Sequence, residues 1–91
     1  MEKVIIGKVL KPRGLKGELK ILLFISEPET LRNLETIFVD GKEYTVKKAT
    51  PQPGTGIAFL WLDGIDHIDR AEQLRGFDIE VFTDDVEMEE E

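Results

Sequence analysis

The residues that could carry catalysis are few, and they form no catalytic motif. The chain of 91 residues has one histidine (His67), one serine (Ser26) and no cysteine. A serine hydrolase needs a nucleophile-elbow sequence around its serine, and Ser26 has none. We therefore interpret Ser26 as a turn residue and His67 as an exposed residue in the first turn of a helix. The sequence predicts a protein that is not an enzyme.

The acidic residues predict no metal site. The terminal segment DDVEMEEE, residues 84–91, offers carboxylate oxygens but lacks the Asp-x-Asp-x-Asp-Gly spacing of a calcium loop. The absence of cysteine excludes disulfides and thiolate metal ligands, and it agrees with a reducing, cytoplasmic location. We expect no metal and no cofactor.

Positive charge is concentrated in one short segment, KPRGLKGELK, residues 11–20. Residues 1–20 carry six basic and two acidic side chains, whereas the whole chain has a net charge of −7. Basic residues on a barrel-rim loop commonly contact phosphates. The candidate phosphate contacts are Lys11, Arg13, Lys16 and Lys20. The residues expected to shape the loop are Pro12, Gly14, Leu15, Gly17 and Glu18, with Glu18 pairing with a neighbouring lysine.

Two familiar phosphate-binding motifs do not fit this segment. Gly14 and Gly17 form a GxxG sequence, but the GxxG of KH domains joins two helices, and here strands are predicted on both sides. A Walker A loop needs four residues between its glycines, followed by Lys-Ser or Lys-Thr. Two interpretations remain open from the residues alone: a soluble connection between strands, or a loop that contacts phosphate.

The elements that position this loop are mostly strands. Apolar and β-branched runs predict strands over 4–10, 18–25, 57–65 and 77–82, and the Asp40-Gly41 pair predicts a type I′ hairpin between two more. The composition of residues 51–56 predicts a loop, and residues 26–34 predict one helical turn. The segment 66–76 predicts a helix with Asp66 as its N-cap and Gly76 at its C-terminal end.

Six short strands and one short helix predict an all-β fold, a small six-stranded antiparallel barrel, because closure removes exposed strand edges. We assign residues 1–83 to this barrel and interpret the acidic residues 84–91 as a tail or linker. No apolar run approaches the length of a membrane-spanning helix, and the N-terminal residues lack the pattern of a secretion signal. We expect no membrane partner.

The segment VIIGKVLKPRGLKGELKI resembles the N-terminal signature of the ribosome maturation factor RimM family. Gly7, Pro12 and the run Gly14–Glu18 match that signature, while Arg13 replaces a frequent histidine. The later block LDGIDHIDRAEQLRGFDIEV is similar to the second block of the family, through Ala71, Glu72 and the run Leu74–Gly76.

The resemblance implies a translation-factor-like barrel in a non-enzymatic assembly factor. Such a factor would bind the free small ribosomal subunit (pre-30S), assist maturation of its head and support processing of 16S rRNA. It also implies a second, PRC-type barrel beyond residues 84–91, outside this sequence, through which a ribosomal protein of the head would mainly be bound. The alternative is a protein-interaction scaffold that docks its own second domain without contacting RNA. We expect a monomer.

Overall fold

The structure is a computed structural model, and it describes residues 2–25, 31, 33–52 and 54–82. Within these residues the chain forms six strands and one short helix. In chain order the elements are β1 (Lys3–Arg13), β2 (Glu18–Leu23), β3 (Thr36–Val39), β4 (Lys42–Gln52), β5 (Ile57–Leu62), α1 (Ile68–Glu72) and β6 (Asp78–Phe82).

The six strands close into an antiparallel barrel in the order β1-β2-β5-β4-β3-β6, with β6 returning to β1. The predicted fold class is confirmed. The first strand, β1, pairs with β2 along one edge and with β6 along the other. Its register shifts between Ile5 and Gly7 on the β6 side and between Val9 and Lys11 on the β2 side. Bulges of this kind bend a strand and increase its twist, and this curvature allows β1 to pair with both β2 and β6 in a small barrel.

The barrel is filled by aliphatic side chains that alternate along the strands. In β5, for example, Ala58, Leu60 and Leu62 are buried and point inward. Since successive side chains of a strand point to opposite faces, the residues between them point outward. Among the described residues, no polar or charged residue is buried. The barrel interior therefore stabilises the fold through apolar packing, and the described polar and charged side chains lie at the surface.

The hairpin predicted at Asp40-Gly41 is confirmed. These two residues connect β3 to β4 with φ angles of 53° and 76°. A type I′ turn requires positive φ at both central residues, and Asp-Gly is a favoured sequence for it.

Several predicted boundaries differ from the structure. Residues 51–52 belong to β4 rather than to a loop, and Pro51 pairs with Ala58 of β5. This end of β4 pairs with β5 alone, so it is an edge on its other side, and edges are where strands tolerate proline. Strands β2 and β5 end at Leu23 and Leu62, earlier than predicted, and β1 extends to Arg13. Phe77 precedes β6 and is 39% exposed, so it is not an inward residue of that strand.

The helix is shorter than predicted, and its N-cap is different. It spans Ile68–Glu72, and its N-cap is His67, whose Nδ1 accepts a hydrogen bond from the Asp69 amide at 3.1 Å. Asp66 was predicted in that role and lies one residue too early. The chain continues beyond α1 in turns up to Gly76, which has a φ of 85°.

Two predictions fall largely outside the described residues. These are the helical turn over residues 26–34, including Ser26, and the acidic segment 84–91. Of the first segment, residues 31, 33 and 34 are described, and Leu31 and Leu34 are buried in the core.

Candidate nucleic-acid interface

The basic loop is a tight connection between β1 and β2 at one end of the barrel. Arg13 and Glu18 are the last paired residues of the two strands, and residues 14–17 form the turn between them. The loop is therefore held by strand pairing at both of its ends, and its position relative to the barrel is set by the β1–β2 register.

The loop is also fixed from the side by the segment that leads into α1. The Ile68 amide donates a hydrogen bond to the Leu15 carbonyl at 3.0 Å. Gly17 is buried with a φ of 91°, and a Cβ atom added there would lie 2.6 Å from the Ile65 carbonyl oxygen. No real Cβ makes so short a contact, so the backbone can approach the Ile65 carbonyl this closely only if residue 17 is a glycine. This close approach explains the second glycine of the GxxG sequence.

The four candidate basic residues lie at the same end of the β1–β2 pair. Lys11 and Lys20 are directly opposite each other across the two strands. Arg13 follows Lys11 on the same face of β1, and Lys16 is exposed in the turn. Like charges at opposing strand positions destabilise a sheet, and a bound anion would offset that cost. The arrangement suits an anionic ligand.

Arg13 is held in place by two neighbours. Its Nε lies 3.8 Å from Glu18 Oε1, and the carbon of its guanidinium lies 4.3 Å from the centre of the Phe59 ring. The partner of Glu18 is therefore Arg13, and the expected pairing with a lysine is wrong. The Arg13 side chain remains 59% exposed, so one face of the guanidinium is free to contact a ligand.

Leu15 lies at the tip of the loop and is 73% exposed, although its carbonyl is hydrogen-bonded. Pro12 is half-buried opposite Leu19 of β2. Gly14 has a φ of 73° and no atom within 4 Å of an added Cβ. The two glycines thus have different surroundings: Gly14 lies in open space, and Gly17 lies against the backbone of residues 65–67.

Sequence reasoning missed two aromatic residues beside the loop. Phe59 and Trp61 alternate with the inward residues of β5 and so belong to the outer face. Each of them lines a cavity beside the loop. Phe59 lines one cavity together with Lys11 and Lys20. Trp61 lines another together with Leu15 and Lys16. The whole run IAFLWL is apolar, so its composition does not separate an outer face from an inner one. The alternation of small or aliphatic residues with aromatic ones was the signal that distinguishes the two faces.

Among the residues that the structure describes, the remaining candidates for chemistry do not form a second site. His67 acts as the helix N-cap, and the side chain of Asp69 lies 3.6 Å from its Nδ1 on an exposed surface. In the described part of the chain, no group of three or more histidine or acidic side chains is placed to hold a metal ion. The described helix is too short and too polar to cross a membrane.

The fold and the loop together define a small closed β-barrel that presents a cationic loop at one end. The profile described as the RimM N-terminal domain matches residues 4–86. The chain belongs to this family.

Relatives agree with that assignment in sequence and in fold. The ribosome maturation factor RimM of Desulfitobacterium hafniense is 34% identical over 88 residues, covering 94% of this chain and 52% of the relative. RimM of Chlorobium luteolum is 38% identical over 81 residues, covering 84% of this chain and 47% of the relative. The chain thus spans about half the length of the curated relatives it matches.

The N-terminal domain of RimM from Thermus thermophilus superimposes with a TM-score of 0.78 at 25% identity, covering 97% of this chain and 98% of that one. A 16S ribosomal RNA processing protein RimM from Pseudomonas aeruginosa has a TM-score of 0.80 at 20% identity, with 93% of this chain and 53% of that chain covered. At 20% identity, the similarity to the Pseudomonas aeruginosa protein shows a shared fold only.

Proposed function

We propose that the chain is a non-enzymatic domain of a factor that assists maturation of the small ribosomal subunit and processing of 16S rRNA, and that its basic loop contacts ribosomal RNA. The names of the relatives support the first part, because they are ribosome maturation factors. The loop supports the second part, because it gathers cationic side chains on a chain that is acidic overall.

The observation that carries the RNA contact is the juxtaposition of Lys11 and Lys20 across the β1–β2 pair, with Arg13 and Lys16 beside them. Side chains that neutralise phosphates release counterions, so each contact makes the affinity fall with added salt. The backbone of the loop is held by strand pairing and by the bond from Ile68 to Leu15, so the positions from which these side chains extend are fixed. A fixed backbone loses less conformational entropy on binding than a mobile loop does.

The partner is the free small subunit in the cytoplasm, bound by a monomer. A ribosomal protein of the subunit head would be bound mainly by a second, PRC-type barrel following the acidic segment 84–91. The length of the relatives supports this division, since about half of each one lies outside the match to this chain.

The test is association of the chain with purified small subunits, measured by co-sedimentation between roughly 50 and 200 mM salt. The variant Lys11→Ala/Arg13→Ala/Lys16→Ala should weaken association and reduce the salt slope by about 0.7 for each lost phosphate contact.

A matched control removes two lysines and one arginine from exposed positions outside the loop: Lys3→Ala/Lys42→Ala/Arg75→Ala. It carries the same change in net charge and should retain most of the affinity. If the two triple variants behave alike, the loop is not an RNA contact.

A second candidate function is docking of another protein domain without RNA contact. In the described ranges, four large apolar side chains are exposed and favour it: Ile5, Leu15, Phe24 and Phe77. Exposed apolar residues of this kind are enriched at protein contacts when they form a patch. Association with a second barrel that is insensitive to salt, together with no salt-sensitive binding to subunit RNA, would favour this function.

A further inference from the structure

The outer face of β1, β2 and β5 next to the loop combines aromatic rings with cations. Lys11 is paired with Lys20, and Lys20 is paired in turn with Phe59. Two residues further along β5, on the same face, Trp61 is paired with Lys48 of β4. The Lys48 side chain is exposed. Each aromatic residue of β5 thus has one lysine beside it, Phe59 on the β2 side and Trp61 on the β4 side.

Two open cavities lie on this face, and Arg13 and Gly14 line both. One has a volume of about 390 Å³ and is bordered by Phe59 and the lysines at 11 and 20. The other has a volume of about 450 Å³ and is lined by Trp61 together with Leu15, Lys16 and Glu18. Both volumes fall in the range of small-ligand sites, ~300–1,000 Å³.

The two aromatic rings are not equally accessible. Phe59 is only 8% exposed, because the Arg13 guanidinium is stacked on it at 4.3 Å. Trp61 is half-buried and forms part of the wall of the larger cavity. The Phe59 ring thus supports a guanidinium plane, while the indole is itself available to a flat ligand. Both kinds of surface stack on nucleobases.

We propose that this face binds unpaired nucleotides of RNA, with one base stacked on Trp61 and the flanking phosphates at Lys16 and at the Lys11–Lys20 pair. The inference rests on the proposed function, and it adds which kind of RNA is bound and how. A base can reach the indole only if it is unstacked from its neighbours, so a loop, bulge or single strand fits. A duplex would meet the lysines through phosphate contacts alone, since its bases remain stacked inside the helix.

The first experiment needs no substitution. Trp61 is the single tryptophan of the chain, so its fluorescence reports on this surface directly. Titration with an oligouridylate of about ten nucleotides, a length within the range that single-strand-binding barrels cover, should quench the emission. An RNA hairpin with the same number of phosphates should bind more weakly and quench little. Binding of the oligouridylate, seen by anisotropy of a labelled strand, without any change in Trp61 emission would overturn the proposal.

The second experiment separates stacking from charge. Trp61→Leu should weaken binding of the labelled oligouridylate about 5- to 150-fold, the loss expected for one stacked base. It should leave hairpin binding and the salt slope unchanged. Trp61→Phe keeps an aromatic face and should stay within a few-fold of the parent chain. The control Lys3→Ala, at the far end of β1, should have little effect. Equal affinity of the Leu and Phe variants for the oligouridylate would contradict the stacking.

The outcomes distinguish this inference from the proposed function. If the Lys11/Arg13/Lys16 variant loses small-subunit association while Trp61→Leu binds oligouridylate normally, the function stands and the stacking site does not. If that triple variant keeps its subunit association but Trp61→Leu loses the oligouridylate, the surface binds unpaired RNA and the proposed subunit contact is wrong. Displacement of the oligouridylate by polyglutamate at equal charge concentration would show an acidic protein site and overturn the inference.

Discussion

Replacing Gly17 by alanine tests the structural account of the loop most directly, because Gly14 provides a matched control three residues away. Both glycines have positive φ angles, 73° at Gly14 and 91° at Gly17. They differ in their surroundings: an added Cβ meets nothing within 4 Å at Gly14, but at Gly17 it would lie 2.6 Å from the Ile65 oxygen and 3.0 Å from the His67 nitrogen.

The magnitudes follow from two separate costs. An L-residue in the left-handed region costs about 1–2 kcal/mol, and the lower entropy of the unfolded chain returns about 0.4–1 kcal/mol on replacing glycine by alanine. Gly14→Ala should therefore lower the free energy of unfolding by about 1 kcal/mol. Gly17→Ala bears the same cost and must also displace backbone atoms, which adds about 1–3 kcal/mol, as overpacking does. We expect a total of about 2–4 kcal/mol.

The assay is urea denaturation followed by Trp61 fluorescence and, independently, by far-ultraviolet circular dichroism. For a domain of this size the free energy of unfolding falls by about 1–3 kcal/mol per molar urea. The midpoint of Gly17→Ala should thus lie about 0.3–3 M below that of Gly14→Ala, with similar slopes. Equal midpoints for the two variants would show that the loop does not pass against residues 65–67, and the account of the GxxG sequence would fail.

Four further substitutions should have graded effects on the free energy of unfolding, measured in the same way. Leu60→Ala empties a fully buried position of β5 and should cost about 2–5 kcal/mol; a cost below 1 kcal/mol would contradict the position of Leu60 in the core. Leu15→Ser should change stability by less than about 0.5 kcal/mol, because the side chain is 73% exposed. His67→Ala removes the side-chain cap of α1 and should cost about 0.5–2 kcal/mol, whereas His67→Asn should recover most of it; equal losses would exclude the capping role. Glu18→Gln removes the pair with Arg13 and should cost at most about 1 kcal/mol, while strengthening oligouridylate binding because a negative charge leaves the site.

Local signals predicted the parts of the fold that depend on neighbouring residues. The Asp40-Gly41 hairpin was correct because its φ requirements are met by those two residues themselves. The prediction of Asp66 as the helix N-cap was wrong because the start of this helix depends on contacts with residues distant in sequence. The segment before α1 is held against the loop by the bond from Ile68 to the Leu15 carbonyl, and this places the first helical turn one residue later than Asp66 would.

The strand β5 shows why the candidate surface was only partly predicted. The lysines and arginine of the loop were evident because charge is read directly from composition. Phe59 and Trp61 were missed because an apolar run does not reveal which of its two faces is inward. The face is decided by pairing of β5 with β2 and β4, which are distant in sequence.

The sequence by itself determined the all-β barrel class, the basic loop between the first two strands and the relation to RimM-type domains. These depend on periodicity, turn chemistry and motif spacing, which are local properties. Only the tertiary structure decided that Gly17 lies beneath the Ile65 carbonyl and that Arg13 stacks on Phe59 beside Trp61. Those contacts arise because β5 pairs with β2 and because the segment before α1 lies against the turn, and both bring together residues that are distant in sequence.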